Sequence, residues 1–226
     1  MIRIISLSKS YGAHEVLKNI NLEFEPGKVY GVVGENGSGK TTLFRCISGL
    51  ELYSGSIESR WVPLKDHLGF LQTEPWFFSK ITGEEYLRLF AVARNLKIDS
   101  FARKNIFELP LNQYASTYST GMKKKLALTA ILLQKNEVFI LDEPFNGVDI
   151  HSNILITGII QTLKQLGKTI IISSHIFSTL NDTCDEIHLL KEGSFVRKVL
   201  KPDFHQLEHE MNEYVIGDKI QELELE

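Results

Sequence analysis

Cysteine is scarce in this chain: there are two among 226 residues, Cys46 inside an expected helix and Cys184 beside an expected strand. Two thiols so placed give neither a framework of disulfide pairs nor metal-ligand spacing, and a reducing cytoplasm is the expected setting. An excess of positive charge is missing as well. The net charge is −3 and the pI about 6.2, which argues against the basic surface that captures phosphate backbones, so no nucleic-acid partner is expected. No basic, apolar N-terminal signal is present, and no apolar run approaches the roughly 18 to 20 residues of a membrane span. Any membrane role is therefore expected to need a separate chain. Internal repeats and low-complexity stretches are absent too. What remains is an ordinary composition, 43% hydrophobic and 23% charged, enough for one sizeable core in a single domain spanning residues 1 to 226.

Within that frame Gly34 to Thr41, Gly-Glu-Asn-Gly-Ser-Gly-Lys-Thr, fits the G-x-x-x-x-G-K-[ST] pattern. The run Val29 to Val33 before it reads as a buried strand, and Thr42-Leu43-Phe44 opens a helix after it. Glycines at 34, 37 and 39 let the backbone curl so that successive N–H groups face phosphate oxygens, assisted by the positive end of the helix dipole. Lys40 is placed to reach the terminal phosphates and Thr41 to ligate magnesium. The stretch predicts binding of a nucleoside triphosphate.

Around it, strands are expected over Met1 to Leu7, Val16 to Phe24, Gly55 to Ile57, His67 to Leu71, Glu137 to Leu141, Thr169 to Ser173, Glu186 to Leu190 and Phe195 to Leu200. Helices are expected over Thr82 to Asn95, where Leu87, Leu89, Phe90 and Val92 recur at helical spacing, and over Ser100 to Phe107, Met122 to Gln134 and Asp149 to about Leu166. The pattern predicts an α/β fold, a P-loop core with an antiparallel β-subdomain and a helical insertion over about 73–134. A C-terminal tail is expected over about 202–226, acidic and exposed from Gln221 to Glu226.

Asp142 follows four apolar residues and so emerges at the carboxyl end of a buried strand, where open α/β sheets bind ligands. A carboxylate there suits magnesium, and Glu143, pointing away from it, suits a general base. Alone, such a pair also caps loops; a phosphate loop roughly 100 residues upstream selects the nucleotide reading. Tyr11, in a break between strands, is either a turn tyrosine or a ring that swings over a nucleotide base. The three lysines Lys123 to Lys125 read as a solvated helix face.

The ordered set of motifs resembles the ATP-binding cassette (ABC) ATPases over about Ile2 to Val199. By that resemblance the adenine-stacking aromatic falls on Tyr11, and the phosphate loop comprises Gly34, Glu35, Asn36, Gly37, Ser38, Gly39, Lys40, Thr41 and Thr42. The glutamine that joins magnesium to the helical subdomain falls on Gln72, Asp142 and Glu143 are the second Walker pair, Asp149 is the D-loop aspartate and His175 the switch histidine. The family signature aligns with Tyr118-Ser119-Thr120-Gly121-Met122. Thr120 and Met122 depart from the usual glycine and glutamine while Ser119 and Gly121 are kept, and this form is similar to bacterial export cassettes for drugs, peptides or polymers.

The resemblance implies an ATP hydrolase using ATP and Mg2+, with Glu143, His175 and Gln72 catalytic and Thr41, Gln72 and Asp142 around the metal. It implies a head-to-tail pair of cassettes, homodimeric or heterodimeric, with Ser119 and Gly121 of one covering ATP held by the other. It also implies a separate transmembrane permease subunit and a place on the inner face of the cell membrane. The competing readings are a soluble cassette acting on ribosomes or nucleic acid, which usually carries two cassettes or a long coiled coil, and a P-loop kinase, which needs no signature. The triplet Trp76-Phe77-Phe78 cannot all face one core from a short loop. In the family this neighbourhood receives a cytoplasmic helix of the membrane subunit.

Overall fold

A computed structural model describes residues 1–210 of the chain. Its first two strands, Ile2–Tyr11 (β1) and His14–Phe24 (β2), pair antiparallel, and Ser54–Ser59 (β4) joins the other edge of β1 to give a three-stranded sheet. Alternation along β1 and β2 turns Ile2, Ile4, Ile20, Leu22 and Phe24 inward, and an irregularity between Ile4 and Leu7 brings Leu7 to the same side. The second sheet has the order β5-β6-β7-β3-β8-β9. Its members are Leu68–Leu71 (β5), Val138–Asp142 (β6), Thr169–Ser173 (β7), Val29–Val33 (β3), Glu186–Lys191 (β8) and Ser194–Leu200 (β9). All neighbours are parallel except β8 and β9, which form a hairpin.

The parallel strands are buried on both faces, which is why they read as unbroken apolar runs. Tyr30, Val32, Val138, Ile140 and Ile171 pack toward the antiparallel sheet. Val29, Val33, Phe139, Leu141, Ile170 and Ile172 pack toward the helices. Those helices are Lys40–Ile47 (α1), which lies on the antiparallel-sheet side, and Gly83–Ala93 (α2), Thr120–Leu133 (α3), Ile150–Gln165 (α4) and Phe177–Thr183 (α5). Helix α2 starts at a reciprocal cap: Glu85 N–H donates to Thr82 Oγ1 at 3.2 Å while Thr82 N–H donates to Glu85 Oε2 at 2.8 Å.

The structure adds to or differs from the expectations in four places. Only Ala102–Lys104 winds, as a 3₁₀ turn, in the helix expected over Ser100 to Phe107. The Asn105 side chain brackets Leu109 instead, donating to its carbonyl at 2.8 Å and accepting from its N–H at 2.9 Å, a local alternative to helical pairing. Helix α5 was not expected. On α2 the apolar residues do not form one stripe: Leu87 is buried, but Leu89 and Val92 are exposed. Finally, the tail expected from residue 202 begins as structure: residues 204–210 are helical, Phe204 and Leu207 are buried, and the Phe204 ring packs edge-on to Phe177. Gln221 to Glu226 lie outside the described residues.

Candidate active site

The carboxyl ends of β3 and β6 and the segment after β7 open on one cavity of about 250 Å³. Asn36, Gly37, Gly39, Lys40, Thr41 and Thr42 line it from the phosphate loop and α1, Asp142, Glu143 and His175 from the strand ends, and Val16 and Thr73 from two further segments. The loop closes tightly onto the helix. Gly39 sits at the N-cap of α1 with φ 109°, a left-handed conformation that side chains resist, and a Cβ there would lie 2.8 Å from Leu17 Cδ2. Inside the curl the Lys40 ammonium, 7% exposed, donates to the carbonyls of Gly34 at 2.6 Å and Glu35 at 3.0 Å. Burial pushes this ammonium below the ordinary lysine range, and the carboxylates of Glu143 and Asp142 pull the other way. Ser38 Oγ is buried in the loop without a hydrogen-bond partner.

Sheet register assembles the acidic half. Asp142 pairs with Ser173 across β6 and β7, so Ser173 Oγ donates to Asp142 Oδ1 at 2.5 Å. Thr41 Oγ1, arriving on α1, donates to Asp142 Oδ2 at 2.7 Å. Two hard oxygen donors from segments 101 residues apart thus meet, a set suited to Mg2+. Glu143 is 7% exposed. Its Oε2 accepts from the His175 backbone N–H at 3.3 Å. Its Oε1 lies 3.1 Å from His175 Nε2 but lacks an aligned donor. A buried carboxylate beside a phosphate loop, with an imidazole 3.1 Å from one oxygen, is placed to take a proton.

Other expected site residues lie elsewhere in the described structure. Gln72 does not line this cavity. Because side chains alternate along an extended segment, Gln72 turns to the side of Phe70 and lines a groove with Trp76, Phe78, Tyr86 and Leu89, while Thr73 turns toward the phosphate loop. In this structure Thr73, and not Gln72, faces the phosphate-loop cavity. Tyr11 is the last residue of β1, paired with His14. It is 47% exposed, with the Lys9 ammonium 4.6 Å from its ring centroid, and it is not among the cavity's lining residues; Val16 is.

Ser119 caps α3, accepting from Met122 N–H at 3.2 Å, and Asp149 caps α4, accepting from Ser152 N–H at 2.9 Å. Neither lines the cavity. The bonds from the Ser152 backbone and hydroxyl, then from Lys125, hold the Asp149 carboxyl well below the usual carboxylate range. Gly121 answers a close approach: a Cβ there would lie 2.3 Å from the Gly147 carbonyl oxygen. The expected solvated lysine face is also corrected. Lys125 Nζ bonds Asp149 at 3.1 Å, and Lys124 is 1% exposed. Nothing in the sequence signalled Val16, but an inward-facing Thr73 follows from strand alternation counted one residue further.

Comparison with known proteins agrees with this geometry. A sequence model of the ABC transporter family matches residues 17–146. The bacitracin transport ATP-binding protein BcrA of Enterococcus faecalis is 31% identical over 96% of this chain and 75% of its own length. The lantibiotic transport ATP-binding protein SrtF of Streptococcus pyogenes is 30% identical over 97% of this chain and 99% of its own. Among solved structures, an ATP-binding subunit of an ABC transporter superposes with a TM-score of 0.79 at 26% identity, covering 92% of this chain and 93% of that one.

Proposed function

This chain belongs to the ABC transporter family and is an ATP-binding, ATP-hydrolysing subunit, and from that premise we propose that it works as one cassette of a nucleotide-bridged pair docked on a separate membrane permease, driving export. The observation that carries the site assignment is the meeting of Thr41, Asp142 and Glu143 beside the phosphate loop, with Thr41 Oγ1 and Asp142 Oδ2 2.7 Å apart. The loop N–H groups and Lys40 take the triphosphate. Thr41 and Asp142 would hold Mg2+, which would supply positive charge against the triphosphate. Glu143 accepts the proton of the attacking water at Oε1, and His175, beside it, faces the γ-phosphate.

Ser119 and Gly121 stand at the N-terminus of α3 and line no part of their own chain's cavity, a placement that suits covering ATP held by a second cassette. Their N–H groups and the helix end, equivalent to about half a positive charge, suit a phosphate. One chain carries both halves of the site, so two copies suffice for two complete sites. The permease contact is the groove that holds Gln72. Trp76 and Phe78 stand exposed on its rim, their rings edge to face at 4.6 Å, while Phe77 turns inward onto Tyr86 at 4.5 Å. Among the described residues no helix is long and apolar enough to cross a membrane, in keeping with a peripheral place on the inner face of the cell membrane. The names of the bacitracin and lantibiotic transport relatives support a peptide-class cargo.

Steady-state hydrolysis tests the assignment. Glu143→Gln is expected to keep ATP affinity while losing roughly 10² to 10⁴ in turnover, the share of a positioned general base. Wild-type turnover in that variant would remove Glu143 from the chemistry.

A further inference from the structure

Lys124 is the middle lysine of three, 1% exposed on α3. No carboxylate lies within ion-pair distance of it among the described residues, a costly position for an ammonium group. Burial pushes it below the ordinary lysine range, and Glu143, then Asp142 and Glu74, oppose the shift. Its partners are two backbone carbonyls: Nζ donates to Glu143 O at 2.6 Å and to Asn146 O at 3.0 Å. Those are the first and last residues of one turn, closed by Asn146 N–H donating to Glu143 O at 3.2 Å.

Glu143 itself is bent into the left-handed region, φ 53°, where a non-glycine residue stays only if its surroundings hold it there. Two side chains do so. Ser173 Oγ accepts from the Glu143 N–H at 3.0 Å, and Lys124 takes the carbonyl on the other side. The twist between these anchors sets where the carboxylate projects into the cavity.

We propose that Lys124 is a positioning residue for hydrolysis: it staples the turn from Glu143 to Asn146 and so holds the Glu143 carboxylate where the attacking water must stand. The inference rests on Glu143 as general base. Because Ser119 caps α3, the same staple ties the helix that would cover a second cassette's nucleotide to the base of its own.

The test is a double-mutant cycle in the full chain, reading ATP affinity, KM and kcat with Mg-ATP. Lys124→Met keeps an unbranched chain, one heavy atom shorter, and removes the donors. It is expected to lower kcat by roughly 10 to 10², the scale of an ångström-sized misplacement, with ATP affinity and KM held within a few-fold. Lys124→Gln, with the same reach as methionine but an N–H donor at its end, is expected to fall between. In the Glu143→Gln background neither change should cost anything further, because the group being positioned is gone. Wild-type kcat in Lys124→Met, or a full additive loss in the Glu143→Gln background, overturns the proposal and leaves Lys124 a fold residue. Should Lys124→Met fail to fold, Lys124→Gln decides by the same two readings. If Glu143→Gln alone hydrolyses like wild type, the base assignment falls instead, and the single-variant data show which of the two failed.

Discussion

Lys40 shows how far one side chain organises its surroundings. Its ammonium closes the loop on itself through the carbonyls of Gly34 and Glu35, and a triphosphate offers it charged acceptors in their place. Charge-assisted hydrogen bonds contribute about 1.5 to 3 kcal/mol each. Lys40→Ala is therefore expected to weaken ATP binding by roughly 10²-fold or more in a calorimetric titration. Equal affinity for the variant and wild type would remove the loop from the binding site. At this scale legibility depended on contiguity. Gly34 to Thr41 and the Asp142-Glu143 pair are short motifs whose neighbours in sequence supply their context. Gln72 and Thr73 face different cavities because a strand end separates opposite faces with each step. Lys124 reads as solvent-facing because nothing adjacent in the chain reveals that two carbonyls from another element will satisfy it.

At the scale of elements, α2 has two apolar sides with different duties. Tyr86, Leu87 and Ala91 pack inward. Leu89 is 47% exposed and, with Phe78 and Val92, lines an open apolar surface beside the groove that holds Gln72. Apolar area left contiguous and uncovered marks a partner site. Trp76→Ala and Phe78→Ala are each expected to leave basal ATPase of the isolated subunit within a few-fold while weakening association with the membrane chain in a detergent pull-down. Undiminished assembly in both would move the docking surface elsewhere. Helix periodicity identified α2, α3 and α4 because each is long and capped, by Thr82, Ser119 and Asp149. It failed over residues 100–107, where Phe101 and Phe107 are buried from an irregular segment and Asn105 supplies the local hydrogen bonds. The seven-residue α5 is too short for its period to stand out.

The whole molecule stacks an antiparallel sheet, a mainly parallel sheet and a helical layer, and its strand order was not legible. Parallel neighbours such as β3 and β7 lie about 140 residues apart in sequence, and only packing selects them. The consequence for function is that the phosphate loop, the acidic pair and His175 converge on one cavity, whereas Ser119 and Gly121 stand apart from it. Under the proposed pairing Ser119 and Gly121 of a second copy complete the nucleotide site, and ATP is expected to join two copies. Slowing hydrolysis should trap that joined state. The direct measurement is the solution mass of Glu143→Gln by light scattering with and without Mg-ATP. The mass is predicted to double with the nucleotide and to return to that of one chain when Lys40→Ala is added. A single-chain mass at saturating, demonstrably bound ATP would contradict the nucleotide-bridged pair.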